Sequence, residues 1–226
     1  VSESAPVRDT YWLLYNATLV FFSALGGLSV VGAENVPESG TVLMVSNHVS
    51  YLDPCAIGDA SPRRVVFMAK AELFGVKPLA YLLRGVDSFP VRRGESDRNA
   101  FKNTLAMLQE GRVVCIFPEG TRGDGETLQD AEAGAAVFGT KTGCAVVPVF
   151  VFGTETLLGR SGRLKRSSVK VAFGKPFTLE KRLDREDAAR ILMERIAQTR
   201  DEYRDLPGRR LWPGRLTKPK EGSRAA

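Results

Sequence analysis

Several short runs in this chain are apolar at nearly every position, not at every second one. TVLMVSN (41–47), RVVCIF (112–117) and AVVPVFV (145–151) are of this kind. A strand with one face in water alternates apolar and polar side chains, so a strand apolar throughout needs cover on both faces. These runs therefore call for a sheet with helices above and below it. Weaker strands are predicted at 28–32, 65–70, 86–91 and 168–174. The segments between them supply helices. Leucines and aromatics recur at helical spacing over 73–85, with an interruption near Pro78. In 96–110, Ser96 is a candidate cap, Phe101, Leu105 and Leu108 form an apolar face, and Gly111 stops the helix. A helix over 130–142 is ended by Gly143, and a last helix covers 184–203 with acidic residues in its first turn, where they suit the helix dipole. The expectation is an α/β fold: one domain, residues 27–204, built on a mixed sheet largely covered by helices.

Two segments flank that domain. Residues 10–33 contain no charged side chain. Their end, LSVVG, reads as a strand before a turn, which leaves a helix over about 9–24, short of the ~20 apolar residues that cross a bilayer. Three readings stay open for this N-terminal unit (1–26): an apolar helix lying at a membrane interface, a helix packed on the domain, or a true span. It is not read as a secretory signal, because Arg8 is offset by Glu3 and Asp9. Residues 205–226 are rich in glycine, proline and arginine and read as a basic, disordered tail, either solvated or touching a membrane through Leu211 and Trp212.

The 226 residues carry 32 basic and 26 acidic side chains, a formal charge of +6. This excess suits an anionic partner: nucleic acid, a phosphorylated metabolite or anionic lipid. Aromatic residues are not interleaved with the basic ones as a base-stacking platform would require, so no nucleic-acid partner is expected. The cysteines, Cys55, Cys115 and Cys144, show neither disulfide nor zinc spacing, and Cys115 and Cys144 read as core. A reducing compartment follows, with no metal and no cofactor. GxGxxG, GxxxxGK[ST] and GxSxG are absent from the sequence, which argues against nucleotide binding and a serine nucleophile.

In α/β folds, sites lie beyond strand ends where loops meet helix N-termini. Three unusual loops follow three predicted strands. The first, NHVSYLDP, holds His48, the single histidine of the chain. One histidine cannot build a metal cage, but it can carry a proton. Asn47 ends the strand, Ser50 can cap a short helix, and Asp53 then takes the acidic position of a capping box. Across such a corner Asp53 can accept a hydrogen bond from one ring nitrogen and leave the other as a general base. The plainer alternative is a capping aspartate beside a polar corner histidine. The second loop, SFPVRRGES, sets Arg92 and Arg93 just past a strand, as a phosphate clamp or as solvated charge. The third, FPEGTRGDGE, brings Glu119, Gly120, Thr121 and Arg122 together. Backbone amides, Thr121 and Arg122 suit an anion, whereas Glu119 is better placed to bind a hydroxyl or orient an arginine. An exposed turn is the alternative.

NHVSYLD, FPVRR, FPEGTR and VVPV (146–149, followed by Gly153-Thr154) occur in the order and spacing of four family blocks. On these blocks, over about 28–176, the chain resembles the glycerolipid acyltransferase family, in particular its 1-acyl-glycerol-3-phosphate acyltransferases. It departs from the family pattern at Gly123-Asp124, where serine and arginine are common, and in the wider gap between Gly85 and Phe89.

The resemblance implies His48 as base with Asp53 supporting it, Arg93 on the acceptor phosphate, and Glu119 and Gly120 ordering the glycerol phosphate end. It makes Arg122 a further phosphate ligand and has Pro148 shape the fold or the acyl side of the site. Donors would be acyl-CoA or acyl carrier protein. The acceptor would be a lysophospholipid, acylated at the free sn-2 hydroxyl to give phosphatidate. The setting would be the cytoplasmic face of the cell membrane, reached as a peripheral or monotopic protein. Other acceptors stay open, an acylated amino lipid or glycerol 3-phosphate among them, as does a noncatalytic lipid-binding module. No residue pattern assigns the oligomeric state.

Overall fold

The computed structural model describes residues 5–85, 88–91, 98–125, 127–132, 134–159 and 162–213. Among them, eight strands form one mixed sheet: β1 (Leu28–Val31), β2 (Val42–Ser46), β3 (Val65–Lys70), β4 (Phe89–Val91), β5 (Val113–Ile116), β6 (Ala145–Phe152), β7 (Val169–Phe173) and β8 (Arg209–Leu211). Their order is β4-β3-β5-β2-β6-β7-β1-β8. From β4 to β6 every neighbour pair is parallel. β7 then runs antiparallel to β6, β1 parallel to β7, and β8 antiparallel to β1. The C-terminal ends of β2 to β6 thus share one rim, and the chemistry-bearing loops leave from it.

The fully apolar runs are buried on both faces as their composition requires. Val42 and Met44 of β2 point into one core layer with Tyr15, Leu19, Phe22 and Ile57. Leu43 and Val45 point into the other with Leu108, Phe138, Leu192 and Ile196. The first layer is roofed by α1 (Ala5–Ala24) and α2 (Asp53–Ala60), the second by α4 (Arg98–Gln109), α5 (Val137–Thr142) and α7 (Arg185–Tyr203). Burying each such side chain contributes about 1.5–3 kcal/mol. Cys115 and Cys144 are buried among these side chains. The Asp184 carboxylate accepts the Glu186 N–H and caps α7, where the acidic first turn was expected.

The N-terminal helix begins at Ala5, earlier than the polarity of residues 5–9 suggests. Tyr15, Leu19 and Phe22 seat it on the core, and the Tyr15 hydroxyl donates to the Asp59 carbonyl of α2. The Thr18 hydroxyl and the Asp59 carboxyl are 2.9 Å apart, and burial holds that carboxyl well above its ordinary pKa. On the opposite side Leu13 and Val20 are 69% and 55% exposed. Among the described residues no helix is long and apolar enough to cross a membrane.

Other expectations are corrected. Residues 130–132 and 134–136 are not helical: the Gln129 N–H goes to Glu119 and the Glu132 N–H to the Pro118 carbonyl, which tie this segment to the loop after β5. Near Pro78 the helix is broken just upstream, into a 3-10 turn (Ala71–Gly75) and α3 (Lys77–Gly85). Proline in the first helical turn costs no ladder bond. The basic tail is ordered at its start. Lys170 Nζ donates to the carbonyls of Tyr203, Arg204 and Leu206, closing the end of α7, and the chain returns as β8 with Leu211 buried. Residues 214–226 lie outside the described residues.

Candidate active site

The rim site starts from a change of direction after β2. Asn47 locks that corner to the end of β6: its side-chain amide donates to the Val151 carbonyl (3.1 Å) and accepts the Val151 N–H (2.8 Å). His48 follows. Its backbone N–H donates to Glu119 Oε1 at 2.9 Å, and its carbonyl accepts the Gly123 N–H at 2.8 Å. Its main chain is thus clamped by the loop after β5, independently of the ring.

The ring is held by two further contacts. It stacks on Phe117, centroids 4.1 Å apart, and its Nδ1 lies 2.8 Å from Asp53 Oδ2. Asp53 opens α2 and is fully buried. Its Oδ2 also accepts the Val49 and Ser50 N–H groups at 2.7 and 2.8 Å. The Ser50 bond is one half of the expected capping box. The other half is replaced: the Ser50 hydroxyl accepts from Leu52 N–H and donates to the Leu158 carbonyl. The remaining carboxylate oxygen, Oδ1, accepts the Thr154 hydroxyl at 2.5 Å. Thr154 opens the short helix α6 (Thr154–Leu157) directly after β6 and is fully buried. Since all these neighbours donate to Asp53, Nδ1 must carry its proton toward the carboxylate, which leaves Nε2 as the basic nitrogen.

The third loop wraps this dyad. Glu119 is 6% exposed, and its two oxygens accept the backbone N–H groups of His48 and Gln129. Burial raises its pKa, opposed by those two N–H groups. Glu119 thereby joins two backbone segments of the site. Gly120 makes the turn at φ 66°. The Thr121 hydroxyl donates to Gln129 Oε1, on the exposed side of the loop, and does not face the dyad. Arg122 lies over the Tyr51 ring, 3.6 Å from its centroid, and donates to the Tyr51 hydroxyl at 2.9 Å. Arg92 and Arg93 lie outside the described residues. Pro148 is buried inside β6 beside Val45, away from the rim corner. It sits just before the antiparallel pairing with β7 begins at Val149, where its missing N–H costs least.

Sequence reasoning thus brings together Asn47, His48, Ser50, Asp53, Glu119 and Gly120, with Arg122 at the edge. It misses the parts played by Phe117, Tyr51 and Thr154. Phe117 opens the third block and Gly123 follows it, where a Cβ would stand in tight contact with Glu119 Oε2, at 3.3 Å. Cys55 is two residues past Asp53, but burial pushes its thiol up to about 12, far from a thiolate nucleophile. Among the described residues no group of three or more His, Cys, Asp or Glu side chains could hold a metal ion.

The chain is similar to known proteins in sequence and in fold. Residues 27–152 match the sequence model of the Acyltransferase family. A chloroplastic 1-acyl-sn-glycerol-3-phosphate acyltransferase of Arabidopsis thaliana is 31% identical over 66% of this chain and 43% of its own length. The 1-acyl-sn-glycerol-3-phosphate acyltransferase of Bacillus subtilis is 30% identical over 74% of this chain and 81% of its own. The match thus spans less than half of the Arabidopsis protein and most of the Bacillus one. The 1-acyl-sn-glycerophosphate acyltransferase of Thermotoga maritima has the same fold, with a TM-score of 0.70 at 22% identity, over 88% of this chain and 80% of that one.

Proposed function

The chain belongs to the acyltransferase family, and from that premise we propose that it moves an acyl group from a thioester, acyl-CoA or acyl carrier protein, to the sn-2 hydroxyl of 1-acyl-glycerol 3-phosphate, giving phosphatidate. The observation that carries this reading is the dyad: an imidazole tied through Nδ1 to a buried carboxylate, with Nε2 left as base. Nε2 takes the proton of the acceptor hydroxyl as its oxygen attacks the thioester carbonyl. The C–S bond breaks, the thiolate leaves, and the imidazolium returns the proton to it. Asp53 stabilises the imidazolium, and no acyl-enzyme is needed. Arg122 supplies a planar donor fork for the phosphate, and Arg93 a second cation.

The test is acylation of lysophosphatidate by purified protein in detergent or liposomes, with both donors and product resolved by mass spectrometry. Phosphatidate formation supports the reading. Product only from an acylated amino lipid or glycerol 3-phosphate would move the acceptor assignment, and no product from any would sink it. Arg122→Ala is expected to raise KM for lysophosphatidate roughly 10- to 100-fold, the worth of a charge-assisted hydrogen bond, with a smaller change in kcat.

The membrane reading, peripheral or monotopic on the cytoplasmic face, is supported by α1. Leu13, Ala17, Val20 and Ala24 form an exposed stripe on one face of a helix whose opposite face is buried. Such a stripe can enter the headgroup boundary without spanning. The double change Leu13→Glu and Val20→Glu is expected to weaken vesicle co-sedimentation at least about tenfold, while turnover of a short-chain, water-soluble acceptor stays within about twofold. Equal vesicle binding by the variant would remove α1 as the anchor.

A further inference from the structure

We infer that Thr154 is a positioning residue of this enzyme, holding Asp53 so that its other oxygen faces His48; the inference rests on the acyl-transfer reading above. Thr154 is buried completely and lies 101 positions from Asp53 in sequence, yet its hydroxyl donates to Asp53 Oδ1 at 2.5 Å. With this bond both carboxylate oxygens are saturated by donors: Oδ2 by His48 Nδ1 and the Val49 and Ser50 N–H groups, Oδ1 by Thr154. Without it Oδ1 would be buried and unpaired. The carboxylate could then rotate, and its hold on the imidazole would loosen.

The backbone is shaped to deliver this hydroxyl. β6 ends at Phe152, and Gly153 follows at φ 87°. A Cβ there would meet the Ser168 carbonyl oxygen at 2.2 Å, so glycine is required where the chain presses on the start of β7. That turn redirects the chain and swings Thr154 over α2. Nearby, the Asn47 amide fixes Val151 to the His48 corner, and the Ser50 hydroxyl fixes the Leu158 carbonyl. Thr154 is thus held between two points tied to the same loop as the dyad. Its role is geometric and electrostatic: it touches no substrate and transfers no proton.

The test compares Thr154→Val, which keeps the shape and removes the donor, with Thr154→Ser, which restores it. Thr154→Val is expected to lower kcat about 30-fold, the scale of one hydrogen bond to a charged group, with both KM values within about twofold. Thr154→Ser returns the rate to near native. A second readout needs no activity. His48 is the single histidine, so its imidazole nitrogens can be followed by NMR without overlap. The native ring is expected as the Nδ1–H tautomer, and Thr154→Val shifts its nitrogen resonances toward the Nε2–H tautomer. Should Thr154→Val not fold, Thr154→Cys, a weak donor of similar size, reads the same shift. A folded Thr154→Val with native kcat and native imidazole nitrogen resonances would overturn the inference, as would equal loss in the valine and serine variants. Absence of acylation by the native protein, with the NMR shift still present, would leave the dyad geometry standing and remove only the proposed reaction.

Discussion

His48→Ala is expected to lower kcat at least about 1,000-fold, within the range that a general base supplies, with little change in either KM. Release of free thiol from acyl-CoA, followed continuously, measures it. The variant should fold, because the loop around His48 is fastened by its main chain: the N–H to Glu119 and the carbonyl to the Gly123 N–H survive the change. The ring's contribution to packing is its stack on Phe117 at the rim. Vesicle binding, which we assign to α1, is expected to stay native. That separation decides between classes of function. A noncatalytic lipid-binding module would keep its principal activity in His48→Ala, whereas an acyltransferase loses turnover and keeps binding. Native-like turnover in a folded His48→Ala would exclude the histidine as base.

The strands were legible because the sheet is covered on both faces. Under that condition burial leaves no choice at any position, and VLMVS, VVCI and AVVPVFVF carry the result as unbroken apolar runs. β8 was hidden for the opposite reason. It lies at the sheet edge with Arg209 and Arg210 exposed, and only Leu211 faces inward, so three residues of a basic segment carry one apolar signal. Residues 130–132 and 134–136 show a third case, in which composition favours helix but hydrogen bonds from Gln129 to Glu119 and from Glu132 to Pro118 tie the segment to the loop after β5.

The candidate site divides along the same line. His48 and Asp53 sit five positions apart, so one loop discloses both. The supports come from far along the chain: Glu119 reaches the His48 N–H across 71 positions and Thr154 reaches Asp53 across 101. Parallel strands deliver such residues to one rim, and sequence spacing does not record which of them meet. Gly153-Thr154 could be found as part of a pattern, but its purpose depends on the left-handed turn and the Ser168 carbonyl against it.

Asp53→Asn and Asp53→Ala are expected to separate catalysis from stability. Four donors converge on this carboxylate, from Thr154, His48, Val49 and Ser50. Asparagine of the same shape can keep its oxygen toward the Val49 and Ser50 amides and turn its NH2 toward Thr154, whose hydroxyl can rotate to accept. The fold then persists, but the negative charge that stabilises the imidazolium is gone. The expected result for Asp53→Asn is a fall in kcat of about 1,000-fold with a nearly native melting temperature. Alanine leaves four donors without the acceptor that collects them. At about 1–3 kcal/mol for each group left unsatisfied, partly relieved by water entering at the rim, Asp53→Ala costs at least about 3 kcal/mol. For a chain of this size that is roughly 6–12 °C in Tm, visible in a single thermal scan. If both variants melted like the native protein, the carboxylate would not be what orders the loop. If Asp53→Asn kept native turnover, the imidazolium would not need its charge, and His48 would act in a way that the dyad geometry does not explain.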